Sequence, residues 1–507
     1  QIRVKTQQGS ERESPNLNMI AGDILYNNSN FQQAEKYFKT LLSHENTAIR
    51  EAAMYYLGKC YKNQGKTRNA EAVFKRIARE KFNSEQIYRP YAAYSLGNLY
   101  IKKDKPEDAF TWYEKLATSQ HVPEKLQRKA LFEVADTAMN LDKTQLAIKY
   151  YQRVIQNYPQ AQDAFKAVQK LMRLHLQNNN PKKALALADN GLAGNLQTGD
   201  RYRINYLQAL ALQKLEKFDA ALTLFNQVIK NKNTDGKYKE LARFQSIYCL
   251  LQTEQFDKLV KMADIFRQKY AESEHLATVT YYQGIAFFKN KKFTSASKAF
   301  SKALNLREAP EQWKPYLDIL HYLAECYTKL EKFNKAATVY RQIAHTDAPD
   351  IDTIANLMKA ADLLQKADKK QKARALYRQI LQHDAAKDND IENAIVETAR
   401  LYLKQGKFAE AESFLHQQLL QRTIRNPRLN LLLGLSQYKQ QKYDKSESTL
   451  RECIQEKNVS QNIMLKNHQK SLIFQKMITP TSLERYEEKI NLLDETLRRI
   501  KNEDNHN

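Results

Sequence analysis

Glycine and proline are scarce, 12 and 11 in a chain of 507 residues. Several separate globular domains would need many more turn-forming residues, whereas the abundant Ala, Leu, Lys, Gln and Glu favour helices. Runs of Val, Ile and Thr broken at regular intervals by Gly or Pro are absent too, so essentially no sheet is expected. No apolar run approaches the roughly 18 residues that a bilayer crossing requires, so the chain holds no transmembrane segment.

The usual spacings of chemistry are also missing. The ten histidines include no pair three to five places apart, which rules out a helix-borne metal site of the HExxH or zinc-finger kind. Cys60, Cys249, Cys326 and Cys453 lie too far apart for a zinc knuckle or a redox CxxC pair, and four free thiols are expected. The string GKCYKNQGKT, Gly58 to Thr67, ends like a phosphate-binding loop. It has Cys60 where that loop needs glycine, and it lies in a helical stretch, so Gly65 reads as an interhelical turn. No cofactor, metal or catalytic residue is expected. The chain begins at Gln1, compatible with a removed signal peptide or with trimming upstream.

What the chain does have is charge and a repeat. Lys and Arg total 81 against 57 for Asp and Glu, a formal +24, which attracts acidic surfaces. Comparison of the chain with itself gives one recurring pattern: a small marker residue, a large residue three places on, Ala or another modest residue at twelve, and an aromatic or Leu at sixteen. Gly58, Tyr61, Ala70 and Phe74 show it, as do Gly97, Tyr100, Ala109 and Tyr113. Markers fall at Gly22, Gly58, Gly97, Ala135, Met172, Ala209, Ile247, Gly284, Ala324, Ala361, Ala399 and Gly434, twelve units spaced by 35 to 40 residues.

Each unit reads as two amphipathic helices, with stripes such as Met54, Leu57, Gly58, Tyr61 and Ala70, Val73, Phe74, Ile77. Small markers let two crossing helices approach while Tyr61 and Phe74 fill the flanking space. Nine places after the marker stands an aromatic in seven units, and proline at Pro106 and Pro181, so the second helix starts there.

This spacing resembles the tetratricopeptide repeat family over residues 16–460, with a period longer than the family's usual one. The resemblance implies an all-α, right-handed superhelical solenoid of about twelve hairpins. Residues 1–15 read as a mobile polar tail, and 461–507 as a degenerate hairpin and cap. In the last segment Leu483, Tyr486, Ile490, Leu493, Leu497 and Ile500 form an apolar stripe that covers the end of the array or pairs two copies. Segments such as Val154 to Pro159 and Phe266 to His275 are similar to bacterial cell-envelope members, which favours a periplasmic or envelope setting over the cytoplasm.

In that family the first helices line the concave face, so residues three before and one, four or five after each marker should point there. Three before lie Tyr55, Tyr94, Phe132, Tyr206, Phe244 and Tyr281; one after lie Asn98 and Arg173; five after lie Lys102, Lys214, Lys289, Lys329, Lys366, Lys404 and Lys439. Such rings and ammonium groups would suit an acidic or extended protein segment. They also have bland explanations, since lysine in a last helical turn is favoured by the helix dipole and the rings can pack on neighbours. Asn98, Lys166 and Lys170 match three positions of the family's carboxylate clamp, but Tyr94 and Glu133 occupy the other two, and the glutamate would repel a carboxylate. The expectation is a non-enzymatic protein-binding scaffold. The alternative is a binder of anionic polymers, single-stranded nucleic acid or polysaccharide, against which the even scatter of lysines argues.

Overall fold

In the computed structural model the stripes become helices. Described are residues 15–79, 87–191, 201–307, 310–346, 351–421 and 427–455. Among them are twenty-four α-helices, one short 3-10 turn and no strand, so the chain is an all-α helical-repeat solenoid. The expected tail, and the expected cap with its stripe from Leu483 to Ile500, lie outside the described residues. Two units are distinguished, Gln1–Lys258 and Leu259–Asn507.

Within each unit the helices pair into hairpins, one per marker, the second being Thr47–Asn63 with Thr67–Ala78 and the third Tyr88–Lys102 with Pro106–Thr118. Every second helix begins nine places after its marker, from Phe31 in the first hairpin to Tyr443 in the last. The closure behind this regularity is a backbone one. Seven places after each marker the chain turns left-handed: Gly65 and Gly406 do so with φ 75° and 71°, and Ser29, Asp104, Asp142, Asn179, Glu216, Glu254, Lys291, Glu331, Asp368 and Gln441 with φ of 55° to 62°. The next amide donates back across the helix end, Lys66 N–H to the Tyr61 carbonyl at 2.9 Å and Lys292 N–H to the Phe287 carbonyl at 2.8 Å. This bond satisfies a carbonyl that the helix leaves orphaned. A left-handed non-glycine residue costs about 1–2 kcal/mol, so ten of the twelve turns carry that cost, and glycine could stay scarce.

Where the marker is Gly22, Gly58, Gly97, Gly284 or Gly434 it faces the side chain sixteen places on. A Cβ added to Gly58 would lie 2.5 Å from Phe74 Cε1, and one added to Gly97 2.4 Å from Tyr113 Cε1. Helix and ring therefore touch with no room between. Where the marker is large the partner is small: Met172 and Ala188, both wholly buried, share one core cluster in the fifth hairpin. Large-with-small pairing preserves the volume between the helices, which is what close packing requires.

Cys60, Cys249 and Cys326 are free and fully buried beside these contacts. Burial pushes the Cys60 thiol up to about 11 and those of Cys249 and Cys326 up to about 12. Thiolate is the reactive form. In a Cys453→Ser background, a thiol-titrating disulfide reagent at mildly alkaline pH should label none of the three until denaturant is added. Rapid labelling of the native protein would show that hairpins open far more often than this packing allows.

Candidate partner-binding face

First helices of consecutive hairpins touch one another through the first unit, as Pro15–Asn27 does Thr47–Asn63 and Thr47–Asn63 does Tyr88–Lys102, and in the second unit Leu276–Lys289 touches Tyr316–Lys329 and Asp388–Lys404 touches Pro427–Lys439. Among the described residues no second helix packs comparably on the next second helix. A row of helices closer together on one side than on the other curves toward the closer side, so within each unit the first helices line the inside of the bend.

The sequence-predicted rings lie on these helices but are not free. Tyr55, Tyr94, Phe132 and Phe244 are half-buried, and Tyr206 and Tyr281 are buried. Five of the six lean on the ring sixteen places after their own marker: Tyr55 on Phe74 at 6.0 Å, Tyr94 on Tyr113 and Phe132 on Tyr151 at 5.7 Å, Tyr206 on Phe225 at 5.8 Å, and Tyr281 on Phe300 at 6.2 Å between centroids. Their packing role is thus direct, and only their edges remain for a guest. In the repeat of Phe244 the position sixteen places after the marker is Ala263, not a ring.

Asn98 is also engaged: its Oδ1 accepts the Tyr113 hydroxyl at 2.9 Å. The same bond recurs where Tyr377 donates to Asp362 at 2.7 Å, and between Tyr151 and Asp136. Tyr113, Tyr151 and Tyr377, each sixteen places after its marker, thus take their acceptor from the residue just after that marker. Asn98 in a clamp would have to give up this donor. Arg173 is exposed and donates to the Tyr238 hydroxyl at 2.6 Å.

The lysines differ from the rings. Lys102, Lys214, Lys289, Lys329, Lys366, Lys404 and Lys439 are all exposed. Lys214 reaches Asn179 Oδ1 at 3.4 Å, and Lys366 stands 6.0 Å over the Phe333 ring. Several lysines elsewhere in the hairpins are neutralised. Lys39 and Lys66 hold Glu35 at 2.7 and 3.1 Å, Lys442 holds Glu412 at 2.7 Å, and Lys75 and Lys103 share Glu71. The hydrogen bonds from Lys103 and then Lys75 hold the Glu71 carboxyl down at about 2, against the opposing effect of burial.

Sequence spacing missed the densest part of this face. Tyr26, Phe31, Phe38 and Tyr56 form a ring quartet between the first two hairpins, Phe38 and Tyr56 stacked at 5.4 Å. An equivalent quartet, Phe288, Phe293, Phe300 and Tyr322, joins the eighth and ninth. The signal was present, aromatics four after one marker and two before the next, but only in these two places. Over the first quartet lies Lys59, its Nζ 4.3 Å from the Tyr26 centroid, 5.0 Å from Tyr56 and 5.7 Å from Tyr55. At the matching position of the second stands Glu325.

Sequence profiles described as tetratricopeptide repeat match residues 21–84, 129–161, 170–236 and 396–458. No curated protein matches the chain. Among solved structures the chain is similar to a MamA RS-1 ArsTM double mutant, with 18% identity over 40% of this chain and 97% of that one, TM-score 0.30. It is also similar to the TPR2AB domain of yeast Sti1 in a complex with pHSP90, with 13% identity over 54% and 98%, TM-score 0.22. A third likeness is to Naa15/Naa10 bound to HypK-THB, with 12% identity over 86% and 68%, TM-score 0.36.

Proposed function

The chain belongs to the tetratricopeptide-repeat family, a non-catalytic interaction scaffold in general, and on that premise we propose that it binds acidic or extended protein segments along its first-helix face. One observation carries the reading: this face presents exposed lysines hairpin after hairpin, while Lys39, Lys66, Lys75, Lys103 and Lys442 outside it are taken up by glutamates. A charge left unpaired along the inside of a bend is available to a guest, and complementarity of this kind sets partner choice and encounter rate. A solenoid suits the task because each hairpin needs only its neighbours, leaving a whole face uncommitted.

The test is a photo-crosslinking amino acid placed at Lys102, Lys214 or Lys289 on first helices, and at Lys36 or Lys298, exposed on second helices. Adducts with other proteins should form from the first set. Adducts from the second set alone would overturn the reading. The envelope setting rests on segment resemblance; recovery of the native protein from the cytosolic fraction of its source cells would remove it.

A further inference from the structure

Resting on that reading, we infer that the first three hairpins hold a distinct subsite for a short, extended peptide segment carrying consecutive carboxylates beside an aromatic residue. Lys59 and Lys62 project from Thr47–Asn63, and Lys102 ends Tyr88–Lys102. Among the described residues the side chain of none of the three makes an ion pair or a hydrogen bond. Burial, followed by the fields of Lys102 and Lys59, lowers the Lys62 ammonium, so these like charges already press on one another. Burial likewise lowers Lys59, with Asp23 opposing. Three ammonium groups kept close, with Asp23 the carboxylate among the described residues whose field reaches Lys59, still gain from an incoming anion.

Tyr26, Tyr55 and Tyr56 give this charge its walls, and Tyr88 and Tyr91 extend them, at 5.4 and 6.2 Å from Tyr55. All five are half-buried, which leaves ring edges and faces open. Rigid amphipathic rings around a cation suit a peptide that brings both an acid and an apolar side chain. The tyrosines alone would accept many guests; the lysines restrict the choice to acids.

The neighbouring hairpins limit the length of the guest. On the fourth and fifth, carboxylates come to the same wall: Glu133 accepts the Tyr94 hydroxyl at 3.4 Å, Asp136 holds Lys170 at 3.1 Å, and Asp163 holds Arg128 at 2.8 Å. Burial and the Asp136 field push the Glu133 carboxyl upward. A nucleic-acid strand bears a phosphate at every step and would run from the lysines onto these acids. A peptide changes charge within a few residues and can match both stretches.

The experiment measures fluorescence anisotropy with the full chain and three labelled probes. These are a peptide with three consecutive glutamates followed by phenylalanine, its glutamine counterpart, and an oligothymidylate of matching length. The glutamate peptide should bind at least about tenfold more tightly than the glutamine one, and Lys59→Gln/Lys62→Gln/Lys102→Gln should remove that advantage. A control, Lys36→Gln/Lys149→Gln/Lys298→Gln, takes the same charge from exposed positions on second helices and should leave it intact. Equal loss in both variants would mean that binding follows net charge, and would overturn the subsite. So would equal affinity for the two peptides, no binding of either, or tighter binding of the oligothymidylate with a steep salt dependence. If the subsite fails while crosslinks from Lys102, Lys214 and Lys289 persist, the scaffold reading still stands.

Discussion

Phe74→Ala should loosen the second hairpin by about 3–5 kcal/mol, and Gly58→Met introduced with it should recover much of the loss. Phe74 is fully buried, and its ring fills the space that a Cβ on Gly58 would enter. Removing the ring leaves a cavity as well as lost contact. Gly58→Met alone overfills the same space and should cost about 1–3 kcal/mol. Together the two changes reproduce the large-marker, small-partner arrangement that Met172 and Ala188 already use. Hydrogen exchange resolved by peptide is the appropriate measurement, because a stacked array loses stability locally. Faster exchange should be confined to the first three hairpins in the single variants and largely reversed in the double. A double variant worse than Phe74→Ala would refute the volume exchange.

The second large effect concerns Glu51 and Arg89. Arg89 Nε and Nη2 donate to Glu51 Oε1 at 3.0 and 2.8 Å, linking the first helices of the second and third hairpins, and both side chains are buried. Glu51→Ala removes the carboxylate facing a buried guanidinium, which typically costs about 3–5 kcal/mol. Glu51→Leu/Arg89→Met, which replaces both charges by apolar groups, should come back close to the parent. Arg89 directly follows Tyr88 and lies two places before Tyr91. The single variant should therefore also weaken the glutamate peptide, and the double should bind it. If Glu51→Ala leaves exchange in both hairpins unchanged, the pair does not join them.

Spacing between residues made the hairpins legible. Gly58 with Phe74, and Gly97 with Tyr113, state in two letters how close the helices come, and the aromatic at nine places marks where the second helix starts. The reversed fifth unit was harder to read, because a search for small markers sees Met172 as decay when it is the same volume divided differently. Beyond Gly65 and Gly406 the turns gave no glycine signal, because the left-handed position is held by backbone hydrogen bonds, whatever side chain occurs there.

The binding face was legible only in outline. Recurrence makes the lysine row and the ring row legible, in seven and six of the twelve units. It could not tell that Tyr94 and Phe132 lean back on their own hairpins, since the same spacing serves packing and recognition. Lys59 and Lys62 escaped for the opposite reason: positions equivalent to Lys59 hold Asp23, Asn98, Asp136, Arg173 and Glu325, and those equivalent to Lys62 hold Tyr26, Ile101 and Met139, so no stripe exists to be found. What is particular to one place in a repeat protein is invisible to a method that looks for sameness.

The closing turn has one consequence for how such a chain can change. Its joint is made by main-chain atoms, so the side chain at the left-handed position can drift from serine to lysine to glutamate without affecting its neighbours. Copying one whole period and inserting it would leave two identical joints and a continuous core, whereas gaining a few residues would misplace every ring that follows. Length in this protein is therefore quantised, and the inner wall can grow or shrink only by one hairpin at a time.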